Sequence, residues 1–365
     1  MIDSSRGRKP QFRYERFGGI LAMHAPRGLA YVDRAYARSL GYEGSPLWEA
    51  PAEPLGRTPL SAPTEVHLVL SQRCSAGCTG CYVDATPSGA AFSEADAKRA
   101  LERLAAMGVF HVALGGGEAV DLPYLLEVAR HARRLGITPN LTTAGLAIDE
   151  SFAREAAGVF GQVNVSLDGL RDDYRASRGF DGFPAALRGL ERLRAHSRHI
   201  GINCVVSRQN ADHLAPLVAL ARKLKLSEVE FLRFKPAGRG TDDFPTRDLT
   251  PQQAKRLYPR ALWYTVRYRM RIKLDCSFGG PDEGKIGEGP TEAALWREGF
   301  SAFRDYAKRA PEPCASCPYL SLCRGGCRVV SQAKGDWWQP DPGCPRVQAP
   351  AESQRGTKVR LPVLA

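Results

Sequence analysis

The sequence predicts an α/β protein, a partial (β/α)6 TIM-like barrel followed by a cysteine-rich module. Three observations predict it. Strand-like runs alternate with helical patterns between residues 65 and 234, an order that implies right-handed crossovers and a parallel sheet. Six such units close only part of a barrel. Eight of the 10 cysteines fall into two clusters, one directly after the first predicted strand of the alternating region and one beyond residue 313.

Residues 1–62 read as an N-terminal hairpin-like segment, with strand-like runs over Phe12–Ala22, a turn at Gly18-Gly19, and a Pro/Ala-rich linker over Ser45–Pro63. Residues 63–245 read as the partial barrel. Its strands are placed at Glu65–Leu70, Val109–Leu114, Ile137–Thr142, Gln162–Ser166, Ile200–Val206 and Val229–Phe234. Ser93-Glu-Ala-Asp96 has the form of a capping box opening a helix to about Met107. Further helices are expected at Pro123–Leu135, closed by Gly136, at Phe183–His196, and at Ala211–Leu224 with Asn210 as N-cap. Residues 246–348 read as the second module. Thr250-Pro251 opens a long helix to about Arg269, a short strand leads to Asp275-Cys276, and the tail 349–365 has no strong pattern.

Lys plus Arg number 51 and Asp plus Glu 39, a formal net charge of +12. Such an excess favours acidic partners, although no basic block with interleaved aromatics marks a nucleic-acid surface. Hydrophobic content is 43%, and neither a membrane-length apolar run nor a signal-peptide core is present in the sequence. The expected compartment is the cytoplasm. There thiols stay reduced, so clustered cysteines point to metal binding or redox work rather than disulfides.

The loop after the first barrel strand carries Cys74-x3-Cys78-x2-Cys81-Tyr82. Three thiolates at that spacing can wrap a compact inorganic core, yet they leave it one ligand short of a closed tetrahedral site. An open corner is where a substrate or cofactor binds. Gly115-Gly116-Gly117-Glu118 follows the second strand, Thr142-Thr143 the third and Ser166-Leu167-Asp168-Gly169 the fourth. All of these sit at the C-terminal ends of parallel strands, the rim where such sheets place their sites. Glycines let backbone approach a ligand closely, and Glu118 offers a carboxylate to a cationic group. The second cluster reads Cys314-x2-Cys317-x5-Cys323-x3-Cys327, with Cys344 downstream. Four thiolates there suit an iron-sulfur cluster or zinc, and Cys204, mid-strand, reads as an inert core thiol.

Over Glu65–Phe234 these motifs together resemble the radical S-adenosylmethionine (radical SAM) superfamily. The resemblance implies a 4Fe-4S cluster held by Cys74, Cys78 and Cys81, with S-adenosylmethionine on the remaining iron. Reductive cleavage of that cofactor to a 5′-deoxyadenosyl radical, followed by hydrogen abstraction from a substrate C–H, is the implied chemistry. Implied cofactor contacts are Tyr82, Gly116, Gly117, Glu118, Ser166, Asp168 and Arg178. Two positions depart from the family pattern: Gly80 stands where many members carry an aromatic or His, and Ala144 replaces the Asn of a frequent Thr-Asn-Gly turn. The second cluster resembles the SPASM extension. It implies one auxiliary 4Fe-4S cluster on Cys314, Cys317, Cys323 and Cys344, with Cys327 and Cys276 directed toward a second site.

The resemblance implies a substrate in a peptide or protein side chain, as in peptide maturases, and an external flavodoxin- or ferredoxin-like electron donor. One alternative is a carboxylated small molecule such as a tetrapyrrole precursor, met by Arg233, Lys235 and Arg239. Another class of alternative is a zinc-dependent nucleic-acid-binding protein.

Overall fold

The computed structural model describes residues 11–24, 27–55, 60–275, 305–333 and 336–348. The N-terminal hairpin forms, with a third strand added. Strands β1 (Phe12–Glu15), β2 (Gly18–His24) and β3 (Arg27–Asp33) make an antiparallel sheet, and a short helix, α1 (Arg34–Ser39), follows. The turn lies at Arg16-Phe17, not at the two glycines, since Gly18 pairs with Glu15 and with Asp33. A Cβ on Gly18 would lie 2.2 Å from the Val32 carbonyl oxygen, and one on Gly19 would lie 2.0 Å from the Phe12 ring. Those glycines serve close packing inside the sheet rather than the turn. Arg13 joins the sheet to the main body, pairing with Glu15 at 2.8 Å and donating to the carbonyls of Ala62, Pro63 and Gly108.

The main sheet is parallel and its strands are ordered as in the chain: β4 (Glu65–Ser71), β5 (His111–Gly116), β6 (Thr138–Thr143), β7 (Val163–Ser166), β8 (Ile200–Val206), β9 (Glu228–Arg233) and β10 (Arg271–Leu274). The first six match the predicted strands within two residues at either end. β10 adds a seventh strand parallel to β9, so the sheet continues past residue 245 to residue 274. Helices α2 (Glu94–Ala106), α3 (Leu125–Arg134), α4 (Glu150–Val159), α5 (Arg171–Arg178), α6 (Phe183–His196), α7 (Leu214–Lys223), α8 (Gly240–Arg247) and α9 (Pro251–Tyr268) fill the connections. Ser93 and Thr250 cap α2 and α9 as expected, the latter with a full capping box. Asn210 does not cap α7, whose N-cap is His213.

Alternation within the strands separates core from lumen. On β8, Ile200, Ile202, Cys204 and Val206 are buried in the main apolar core, whereas Asn203 and Val205 line the interior cavity. Among the described residues no helix is long and apolar enough to cross a membrane. Beyond β10, short helices lie at Tyr306–Arg309, Leu320–Cys323, Arg328–Ala333 and Pro345–Gln348, with Cys323 in the second and Cys314, Cys317, Cys327 and Cys344 in the segments between them.

Candidate active site

Every barrel rim element named from sequence converges on one cavity of about 1940 Å³. Cys74, Cys78, Cys81, Tyr82, Gly115, Gly116, Gly117, Ser166, Asp168 and Arg178 all line it. Of the rim residues named from sequence, Glu118, Leu167 and Gly169 do not line it.

The cysteine loop is held from three sides. Cys74 N–H donates to the Thr86 carbonyl at 2.9 Å, tying the start of the loop to its return. Arg239, beyond β9, donates from Nε to the Cys78 carbonyl at 3.1 Å and from its backbone to the Cys81 carbonyl at 3.0 Å. Arg247 on α8 donates to the Thr79 hydroxyl and the Ser177 carbonyl. Each cysteine sulfur accepts one N–H: Cys74 from Ala76 at 3.4 Å, Cys81 from Ala85 at 3.4 Å, and Cys78 from Arg178 Nη1 at 3.7 Å. Donors aimed at sulfur favour thiolate and tune a bound cluster. Burial pushes the Cys74 thiol up, the Ala76 N–H opposes it, and Glu118, Cys78 and Cys81 add to the rise. The Cys74 thiolate is thus disfavoured without a nearby cation, which the iron of a bound cluster would supply. Among the described residues no three His, Cys, Asp or Glu side chains converge on a single metal ion. A four-iron cube takes its ligands at separate corners, and three thiolates leave one of those corners open.

The glycine run has two functions. A Cβ on Gly116 would lie 2.3 Å from the Ser71 carbonyl oxygen, and one on Gly117 would lie 2.1 Å from that of Arg73. These two glycines let β5 press on the strand that launches the cysteine loop, with Gly117 N–H bonded to Ser71 and Glu118 N–H to Arg73. Gly115 has no atom within 4 Å of its would-be Cβ and leaves the cavity wall open. The Glu118 carboxylate, 6% exposed, accepts from Val120 N–H, Thr143 Oγ1 and Ala144 N–H. Burial raises its pKa, and those three bonds oppose the shift.

Asp168 is likewise engaged within the protein, by Arg178 Nε at 2.8 Å and Val205 N–H at 2.8 Å. Arg178, the last residue of α5, thereby spans Asp168 and Cys78. Burial opposes its charge, yet Asp168 and Cys78 together hold its pKa above the ordinary value. Beside it, Arg247 Nε and Ser177 Oγ are buried without a hydrogen-bond partner among the described residues, and both residues line the cavity. Orphaned donors there fit an anionic group of a bound ligand. Tyr82 stands at the rim, 46% exposed.

The lumen below the rim is polar. Asn164 donates to Asn203 Oδ1 at 2.7 Å, and Lys273 reaches Glu228 at 3.2 Å and Glu230 at 3.7 Å. Sequence reading missed these inward residues. The signal was present, since Asn164 sits between two valines in β7 and Asn203 is the single amide in the otherwise apolar β8. Arg233, Lys235 and Arg239 each meet an internal carboxylate: Asp341 at 2.5 Å, Asp275 at 3.6 Å and Asp84 at 2.7 Å.

In the second cluster Cys314, Cys317, Cys323 and Cys344 line one small pocket. Burial raises the Cys314 thiol to about 11, opposed by the Tyr306 hydroxyl. Cys327 is outside that pocket, buried with Phe234, Phe244 and Val330. Cys276 lies outside the described residues.

Residues 68–221 match the model of the radical SAM superfamily. The chain is 29% identical to the PqqA peptide cyclase of Ruegeria pomeroyi, over 78% of this chain and 88% of that one. It is 24% identical to the Fe-coproporphyrin III synthase of Methanosarcina barkeri, over 75% of this chain and 86% of that one. The structure of Streptococcus suis SuiB bound to S-adenosylmethionine aligns with a TM-score of 0.68 at 16% identity, covering 92% of this chain and all of that one. That likeness shows a shared fold.

Proposed function

We propose that this chain, which belongs to the radical SAM superfamily, is a peptide maturase that takes hydrogen from a C–H bond of a peptide or protein side chain. The observation that carries the reading is the cysteine-rimmed cavity with its polar lumen. Its volume of about 1940 Å³ exceeds the roughly 300–1,000 Å³ of small-ligand pockets, leaving room for a peptide segment beside a nucleoside-sized cofactor. The named activity of the PqqA peptide cyclase relative supports the same substrate class.

When bound, a 4Fe-4S cluster and S-adenosylmethionine supply one-electron cleavage of a carbon–sulfur bond and the radical that removes substrate hydrogen. Cys74, Cys78 and Cys81 would hold the cluster. Arg178, Ser166 and the orphaned donors on Ser177 and Arg247 would face the cofactor's carboxylate, Gly115 and Tyr82 would border it, and Gly116 and Gly117 would fix the wall behind it. Glu118 and Asp168 position this machinery through the turn at Thr143-Ala144 and through Arg178. Cys314, Cys317, Cys323 and Cys344 would hold an auxiliary 4Fe-4S cluster, with Cys327 directed elsewhere. A flavodoxin- or ferredoxin-like donor suits the net charge of +12. The compartment that suits such a cysteine-rich chain is the cytoplasm, where thiols stay reduced.

The Fe-coproporphyrin III synthase relative favours a second reading, a tetrapyrrole substrate. Against it, the three cations expected to meet carboxylates are engaged internally. Anaerobically reconstituted, reduced protein should release 5′-deoxyadenosine from S-adenosylmethionine, with none from Cys74→Ala. Co-expression with the short peptide encoded nearest its gene should change that peptide's mass in a Cys74-dependent way. An unchanged peptide together with turnover of coproporphyrin would select the tetrapyrrole reading instead.

A further inference from the structure

Gly80 precedes the third cysteine and carries no side chain, and in this fold another element occupies the space. A Cβ on Gly80 would lie 2.7 Å from the Phe234 ring and 2.7 Å from Arg247 Nη1. Phe234 follows directly on β9, across the barrel mouth, and is buried at the cavity wall. Its ring is gripped on two sides. The Arg247 guanidinium lies 4.5 Å from its centroid, and the Phe244 ring stacks at 6.4 Å with an interplanar angle of 14°. Arg247 is in turn fixed by Thr79, within the cysteine loop, and by Ser177. A cation over a ring, itself tied to the loop the ring presses on, makes a closed set of contacts around Gly80. Cys327 and Val330 of the C-terminal module pack in the same cluster.

We propose that Phe234, clamped by Arg247, is the positioning residue of the Cys78–Cys81 segment. It delivers from β9 the ring that the loop lacks at position 80. The loop is thereby braced against the C-terminal module, so cluster retention at the barrel mouth depends on a side chain more than 150 residues away in sequence. This inference rests on the reading that Cys74, Cys78 and Cys81 hold an iron-sulfur cluster.

The test moves the ring. Full-length wild type, Phe234→Ala, Gly80→Phe and the double variant are reconstituted anaerobically, and iron and sulfide per chain, the rate of visible bleaching in air and the thermal midpoint are measured. Phe234→Ala should bleach roughly tenfold faster, the scale of losing a contact that orients metal ligands. Gly80→Phe should retain little iron, because its ring collides with Phe234. The double variant, with one ring again present, should recover retention beyond the sum of the single effects. Bleaching of Phe234→Ala at the wild-type rate, or strictly additive effects in the double variant, would overturn the proposal. Should wild type bind no iron, the cluster reading fails, and the coupling is judged on the thermal midpoints of the same apoproteins. A double variant more stable than Gly80→Phe then supports the brace, and additivity refutes it.

Discussion

Glu118, expected to offer its carboxylate to a cationic group of a ligand, does not line the cavity and is engaged within the protein. Its two carboxylate oxygens accept three protein donors, so its effect reaches the cavity through Thr143 and Ala144. Glu118→Gln replaces one acceptor oxygen with a donor facing N–H or O–H groups. Losing a hydrogen bond to a buried charge costs about 1.5–3 kcal/mol, and the apoprotein's urea midpoint should fall accordingly. Gly117→Ala should be at least as damaging, since its Cβ would sit 2.1 Å from a β4-loop carbonyl. The glycine run, the three cysteines and Asp168 were legible because each is a residue type with few alternative uses at a strand end. Their division of labour was not, because sequence does not show that Gly116 and Gly117 press on the backbone after β4 while Gly115 opens on the cavity. Nor does it show that Asp168 meets Arg178 ten positions on.

At the scale of elements, the six predicted strands were legible because apolar runs bounded by turn residues recur at βαβ spacing. Helix α5 (sequence RDDYRASR) escaped because its buried residues are only Tyr174 and Ser177, leaving no apolar stripe to read. β10 was visible only as a short strand, and its parallel pairing with β9 is a tertiary fact. Asn210 marks the same limit. It looked like a helix cap by residue type, but its amide donates to the carbonyls of Asp168 at 2.6 Å and Val205 at 2.8 Å, and its Oδ1 accepts from Ser207 N–H. It pins the loop after β7 to the end of β8. Asn210→Ala would leave those buried backbone groups unpaired at about 1–3 kcal/mol in total. A lowered denaturation midpoint with unchanged α7 helicity would confirm a loop tie, whereas loss of helix alone would indicate a cap.

Across the whole molecule, a buried ion pair helps join the barrel and the C-terminal module. Arg233, at the end of β9, meets Asp341 at 2.5 Å with side chains 7% and 5% exposed, and Asp248 stands 3.6 Å away. Asp341 also accepts the N–H groups of Cys327 and Gly343, so one carboxylate orders the module's own loops and fastens them to the sheet. Removing it should act on both levels. Asp341→Ala leaves a buried guanidinium with the more distant Asp248 as its carboxylate neighbour among the described residues, a loss of about 3–5 kcal/mol for breaking a buried pair from one side. Calorimetry should then resolve two transitions where wild type shows one, the module melting before the barrel. Replacing both partners, Arg233→Met with Asp341→Leu, removes the stranded charge and should restore much of the barrel's stability, while the loops around Cys327 and Gly343 stay loosened. A single cooperative transition in Asp341→Ala would mean that the apolar contacts of Phe234 and Phe244 with Cys327 and Val330, rather than the ion pair, hold the two parts together.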